Sequence, residues 1–342
     1  MKNKFLYTIL LLVFSLTQAV AQRGGESLFG ILHLTHSARM ASLGGNQVGL
    51  DGHDLSMLIH NPAMLNSGFS RNVSLSYVPY MADINYGFGG IAWDFEGVGT
   101  FALGFLHVGY GSFVAADESG IITGTFSAGE SVMQITYSRP LSERWTAGFS
   151  VKPLYSRLEA YDSWGIAVDG GLFYRNPNGL FTYGMVIRNF GRQLTSYHDG
   201  PLENLSPDLQ LGVSYKLEHA PFRFSMTVQD LLSGSLDYDI PDSGNNRVVF
   251  GDGSNDDDLL DKMVKYLTLG VEFVPTNNFY VAAGVNPRRR QELRVESRTS
   301  TVGYTWGFGF KISKFNFSYG SGRYHLGGSS NHFSITTNLS SF

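Results

Sequence analysis

From Val302 onward every second residue is apolar: Val302, Tyr304, Trp306, Phe308, Phe310 and Ile312, with Gly303, Thr305, Gly307, Gly309 and Lys311 between them. After a break at Ser313 and Lys314 the alternation resumes as Phe315, Phe317 and Tyr319 against Asn316, Ser318 and Gly320. A period of two sends neighbouring side chains to opposite faces of a β-strand. One face is a wall of aromatics, and the other is small, polar and nearly uncharged. A soluble sandwich would bury the first face and load the second with charge. The pattern instead fits strands that touch lipid on one side and line a lumen on the other. The expected fold class is all-β, a transmembrane antiparallel β-barrel.

The same alternation recurs along the chain near 72–80, 83–95, 99–110, 131–139, 144–157, 163–175, 180–190, 208–217, 221–231, 264–274, 279–286, 301–312, 314–321 and 331–341. That gives about 14 strands, an even number of membrane-spanning length. The connections alternate between tight turns and mostly longer loops, at 111–130, 191–207, 232–263, 287–300 and 322–330. Outer-membrane barrels put tight turns on the periplasmic rim and long loops outside. A strand miscount by one would mix the two kinds on one rim, so the parity supports the count. The inferred lumen face is mainly Gly, Ser, Thr and charged residues, with few large apolar ones. Charged residues make up 16% of the chain, below the roughly 25% of soluble domains. The last residue is Phe342, a terminal aromatic of the kind barrel assembly uses, although it falls out of phase with the final strand.

Before the strands the chain reads differently. Lys2 and Lys4, the apolar run Phe5 to Leu16 and the small residues Ala19-Val20-Ala21 predict a signal peptide over 1–21, cleaved before Gln22. From 22 to 70 the alternation is missing and short helical turns are expected, with Pro62 near the start of one. Leu32, Leu34, Leu43, Leu58, Ile59 and Leu65 make the segment too apolar for a disordered tail. The expected organisation is a signal peptide, a plug over 22–70 and a barrel over 71–342.

Within that segment stand Ala38-Arg39-Met40-Ala41-Ser42-Leu43-Gly44-Gly45, then Asp51 and Asp54-Leu55-Ser56, then Asn61-Pro62-Ala63. This ordered set resembles the N-terminal region of FadL-like outer-membrane proteins, in the PorV/PorQ branch tied to type IX secretion. The resemblance implies that Arg39, Gly44, Gly45, Asp54, Asn61, Pro62 and Ala63 belong to a plug folded into the barrel. It also implies a non-enzymatic protein of the cell outer membrane, surrounded by lipid and lipopolysaccharide. Such a protein would sit in a surface attachment complex with PorU, PorV and PorZ, holding PorZ through its outer loops. Two alternatives are a FadL-like channel for hydrophobic small molecules and a PorV-like cargo shuttle.

The residues themselves point to no enzyme: no G-x-S-x-G elbow, phosphate-binding loop or H-E-x-x-H stretch occurs. His33, His36, His53 and His60 share the plug segment, but their spacing gives no metal motif, and no metal or cofactor is expected. Cysteine is absent, which excludes a disulfide framework. Two outer loops stand out by charge. One is acidic, with Asp237, Asp239, Asp242, Asp252, Asp256, Asp257, Asp258 and Asp261; the next is basic, with Arg288, Arg289, Arg290, Arg294 and Arg298. They could pair across the rim, or the arginines could grip lipopolysaccharide phosphates or a protein partner. Asp256 to Asp258 and Arg288 to Arg290 are therefore the candidate binding residues.

Overall fold

The computed structural model describes residues 28–52, 54–198, 200–232, 264, 266–292, 301–325 and 328–341. The signal segment, His53, the aspartates from Asp237 to Asp261, Arg294, Arg298 and Phe342 lie outside the described residues.

Fourteen antiparallel strands close into one barrel. They run β1 (Asn72–Pro79), β2 (Asn85–Phe95), β3 (Gly99–Ala116), β4 (Ile122–Pro140), β5 (Trp145–Leu158), β6 (Tyr161–Arg175) and β7 (Phe181–Thr195). Then follow β8 (Asp208–Lys216), β9 (Phe222–Val228), β10 (Leu267–Thr276), β11 (Phe279–Val285), β12 (Tyr304–Ile312), β13 (Phe315–His325) and β14 (Gly328–Asn338). β1 closes on β14 with Val73 opposite Thr337 and Tyr77 opposite Phe333. Closure leaves no unpaired edge, which a bilayer interior demands because it offers backbone groups no water.

The alternation sorts the faces as expected. Leu75, Tyr77, Tyr304, Trp306 and Phe333 face outward and are exposed, whereas Ser74, Thr305 and Thr336 point inward and are buried. Aromatic neighbours tile the outer wall: Phe310 stacks on Phe317, and Trp306 and Phe308 both meet Tyr319. One rim holds only short connections, from 277–278 and 313–314 up to 176–180 and 217–221.

The upper rim departs from expectation. The loop expected over 111–130 is mostly strand, with Phe113 opposite Phe126 and Val114 opposite Thr125, leaving only 117–121 as a turn. A bulge around Gly111, whose φ is +84°, carries β3 past its regular register. Small residues broke the alternation there without breaking the pairing. Val302 is also not a lipid-facing strand residue: β12 starts at Tyr304, and Val302 is buried in the turn before it.

A second correction concerns the lumen. Tyr86, Phe88, Leu106, Val108, Val132, Leu154 and Phe173 all point inward and join one apolar cluster with Phe29, Ile31, Leu32, Met40, Leu43, Leu58 and Met64. Over β2 and β3 the barrel interior is mainly apolar, as is the segment it holds, while on β4 to β6 Val132, Leu154 and Phe173 share it with Gln134, Ser150, Lys152 and Asp169. The segment carries α1 (Ala38–Ser42) and several single 3-10 turns, and its backbone is anchored to the wall along its length.

Candidate functional site

The motif residues either cap turns within the segment or tie it to the barrel wall. Asp54 accepts hydrogen bonds from the Ser56 backbone N–H (3.0 Å) and from the Ser37 hydroxyl (2.8 Å), so it caps one turn and ties it to the start of α1. Asn61 accepts from the Ala63 N–H (2.9 Å) and donates to the Val48 carbonyl (3.0 Å). Pro62 opens the turn that Asn61 caps. Gly44 and Gly45 have φ of +95° and +100°, and the Gly44 N–H donates to Thr305 Oγ1 at 2.9 Å on the wall. A side chain at Gly44 would meet Thr268 Cγ2 at 2.5 Å, so only glycine passes so close to the strands.

Arg39 forms the main latch. Its Nε and Nη2 donate to the two carboxylate oxygens of Glu272 on β10 at 2.7 and 2.8 Å, a bidentate pair. Arg223, opposite Glu272 on β9, adds a bond of 3.1 Å, and Arg39 Nη1 reaches the Asp51 carbonyl at 2.9 Å. The Arg39 guanidinium also lies over the Tyr280 ring. Further round the lumen, Lys152 pairs with Asp169, and Asn189 bridges them by accepting from Lys152 Nζ and donating its N–H to Asp169. These charged lumen residues escaped the sequence reading. The signal that could have found them is a lone charge at an inward position of a strand, as at Lys152, Asp169, Arg188, Arg223 and Glu272.

Above the plug, towards the rim with the longer connections, lies a polar cavity of about 380 Å³. His33, Asn46 and His60 of the plug form part of its lining, with Arg188, Asp208, Gln210 and Asp230 from the wall and Arg288 and Arg289 from α2 (Pro287–Glu292). Of the candidate binding arginines, Arg288 is paired with Asp230, Arg289 leans on the Gly44 carbonyl at 3.4 Å, and Arg290 stacks on Tyr304 at 4.9 Å. Asp230 stands before the acidic stretch, and the expected pairing between the two charged loops falls outside the described residues. Asp256, Asp257 and Asp258 lie outside the described residues. A larger hollow of about 500 Å³ sits on the outer wall over β8 to β11, lined by Tyr215, Phe224, Met226, Leu269 and Val285, and holds no chemistry.

His36 is fully buried, edge-on to Tyr86, and burial holds its imidazole down at about 4. Burial, followed by the charge of Arg188, also holds His60 well below the usual histidine range. Both stay neutral in the folded plug, while the unfolded segment takes up protons near 6.5. Stability is therefore complete above that value and is lost as pH falls from 6.5 towards 4. His36 alone accounts for about 3 kcal/mol over that window. Protease cleavage within residues 28–70 is expected to speed up between pH 7 and pH 4.5. An unchanged cleavage rate would contradict neutral burial. Among the described residues, no group of histidine and acidic side chains is arranged to hold a metal ion.

The fold is similar to that of the Ralstonia pickettii toluene transporter TbuX, at 12% identity over 91% of this chain and 100% of that one, with a TM-score of 0.54. It is also similar to a deltaS2 mutant of the monoaromatic hydrocarbon channel TodX, at 14% identity over 90% and 98% of the chains, TM-score 0.50. A Pseudomonas aeruginosa FadL homologue aligns at 10% identity over 89% and 98%, TM-score 0.48. No sequence family and no curated protein matches the chain. The fold class is that of closed, fourteen-stranded, FadL-like antiparallel barrels. At these identities the likeness is one of fold.

Proposed function

We propose that this chain is a sealed, non-enzymatic barrel of the type IX secretion system, a PorQ-like protein. It presents its outer rim to a surface attachment complex that contains PorU, PorV and PorZ. The observation that carries this reading is the use of the motif set. Arg39, Gly44, Gly45, Asp54, Asn61, Pro62 and Ala63, the residues of the PorV/PorQ resemblance, all dock the plug or cap its turns. A barrel built around so fixed a plug suits a platform better than a conduit. PorZ is its proposed partner, held at the rim that carries α2. Affinity purification from detergent-solubilised outer membranes is expected to recover PorZ with PorU and PorV. A barrel recovered without any of them would end this reading.

The second reading is a channel for small hydrophobic molecules. Two observations favour it: the fold likeness to a toluene transporter and a monoaromatic hydrocarbon channel, and the apolar lumen wall over β2 and β3. Toluene uptake by cells lacking the gene separates the two. The platform reading expects uptake unchanged and secreted cargo lost from the surface; the channel reading expects the reverse.

A further inference from the structure

Two buried side chains that line the polar cavity above the plug each keep one polar atom with no partner among the described residues. Arg188, on β7, is 7% exposed, and His60 is 3% exposed; both line the cavity. Arg188 Nη2 donates to the Leu32 carbonyl at 3.2 Å, but its Nε–H has no partner among the described residues. Among the described residues no carboxylate pairs with this guanidinium; a buried, uncompensated charge is costly enough that such groups are normally paired.

His60 adds a second, different demand. Asn46 Nδ2 donates to Gln210 Oε1 at 2.9 Å and to Gln229 Oε1 at 3.1 Å. That fixes the amide, and Asn46 Oδ1 faces His60 Nδ1 at 2.8 Å. The Nδ1 therefore carries the proton and donates, which leaves Nε2 as a lone pair with no partner among the described residues. The cavity thus asks for negative charge at Arg188 and for a hydrogen-bond donor at His60. The two carboxylates of the lining are already engaged. Asp230 is paired with Arg288, and Asp208 accepts from the Asp230 N–H at 2.7 Å and from Gln210.

We propose that this cavity is a binding site for a small hydroxylated oxyanion that enters from the upper rim. Its anionic oxygens bond Arg188, and its hydroxyl donates to His60 Nε2. Hydrogen phosphate, or a phosphate monoester that keeps one proton, satisfies both demands; so does a sugar acid. An alkyl chain does not, because amides and charged groups form most of the lining. A polyanion is also excluded, since Asp208 and Asp230 share the wall. The proposal stands whether the barrel is a platform or a channel.

The test uses the full-length protein in lipid nanodiscs, titrated by calorimetry with inorganic phosphate, with glucuronate and with acetate. Saturable binding is expected for phosphate or glucuronate, and the tighter of the two identifies the source of the oxyanion. Acetate, which lacks the hydroxyl, is expected to bind about tenfold more weakly or worse. Arg188→Gln is expected to weaken the tighter ligand by about tenfold or more, as loss of a charge-assisted bond does. No saturable binding of either ligand, equal binding of acetate, or unchanged binding by Arg188→Gln would overturn the proposal. If Arg188→Gln does not fold, the wild-type preference over acetate decides alone.

Discussion

Replacing Glu272 by alanine is expected to release the plug. The carboxylate is buried and receives both nitrogens of Arg39 from the plug and one of Arg223 from the wall. Removing it leaves two guanidiniums facing each other inside the barrel. Breaking a buried charge pair from one side costs about 3–5 kcal/mol, because the partner charge is stranded. Here the stranded charges also repel. In a Glu272→Ala barrel the strands remain paired, so the loss falls on the seating of the plug. Heat-modifiable gel mobility should still report a folded barrel, while protease cuts within residues 28–70. Replacing all three charges with apolar residues of similar size should restore protection, since well-packed apolar groups often match a buried ion pair. Glu272→Ala with a protected plug would mean that the latch is dispensable.

The second large effect is steric. On β7, Gly184 faces the plug at Val48, and a Cβ there would lie 1.9 Å from the Val48 carbonyl oxygen and 2.6 Å from its carbon. Both are backbone atoms, held in place by Asn61 and by Thr182, whose hydroxyl donates to the Gly49 carbonyl at 2.6 Å. Across the strand pair, Gly212 faces the same stretch. The two glycines form a slot for Val48 and Gly49. Gly184→Val cannot be absorbed by a rotamer change and is expected to cost at least the upper end of the about 1–3 kcal/mol typical of overpacking. Gly170→Ala, at an outward position with open space around it, is the control and should leave the thermal midpoint unchanged.

Most of the wall was legible from the chain alone, because a strand that separates lipid from a packed interior must alternate. Trp306 and Thr305 declare their faces without any knowledge of their neighbours. Strand ends were harder to read where glycine and serine blur the period, as at 111–130, yet backbone pairing continues through them. The segment before the wall was legible as apolar and built of short turns, but the inward aromatics that receive it were not. Phe88 and Phe173 break the expectation of a polar lumen only because the plug lies against them, and no local pattern encodes that. The polar cavity was the least legible feature. Arg188 and Asp208 come from two strands, Gln229 from the connection after β9, Arg289 from α2 and His60 from the plug; only barrel closure brings them together. The arginine run was noticed for its charge, yet Arg188, a single cation amid Val186, Ile187 and Phe190, has the more pointed chemistry.

The central claim is that residues 28–70 seal this barrel as a fixed part of its fold. Ion conductance of the purified full-length protein in planar bilayers tests it most directly. The wild-type barrel is expected to insert and stay electrically silent, and Glu272→Ala to show steady open steps. A wild-type protein that conducts through a stable open pore would contradict the claim.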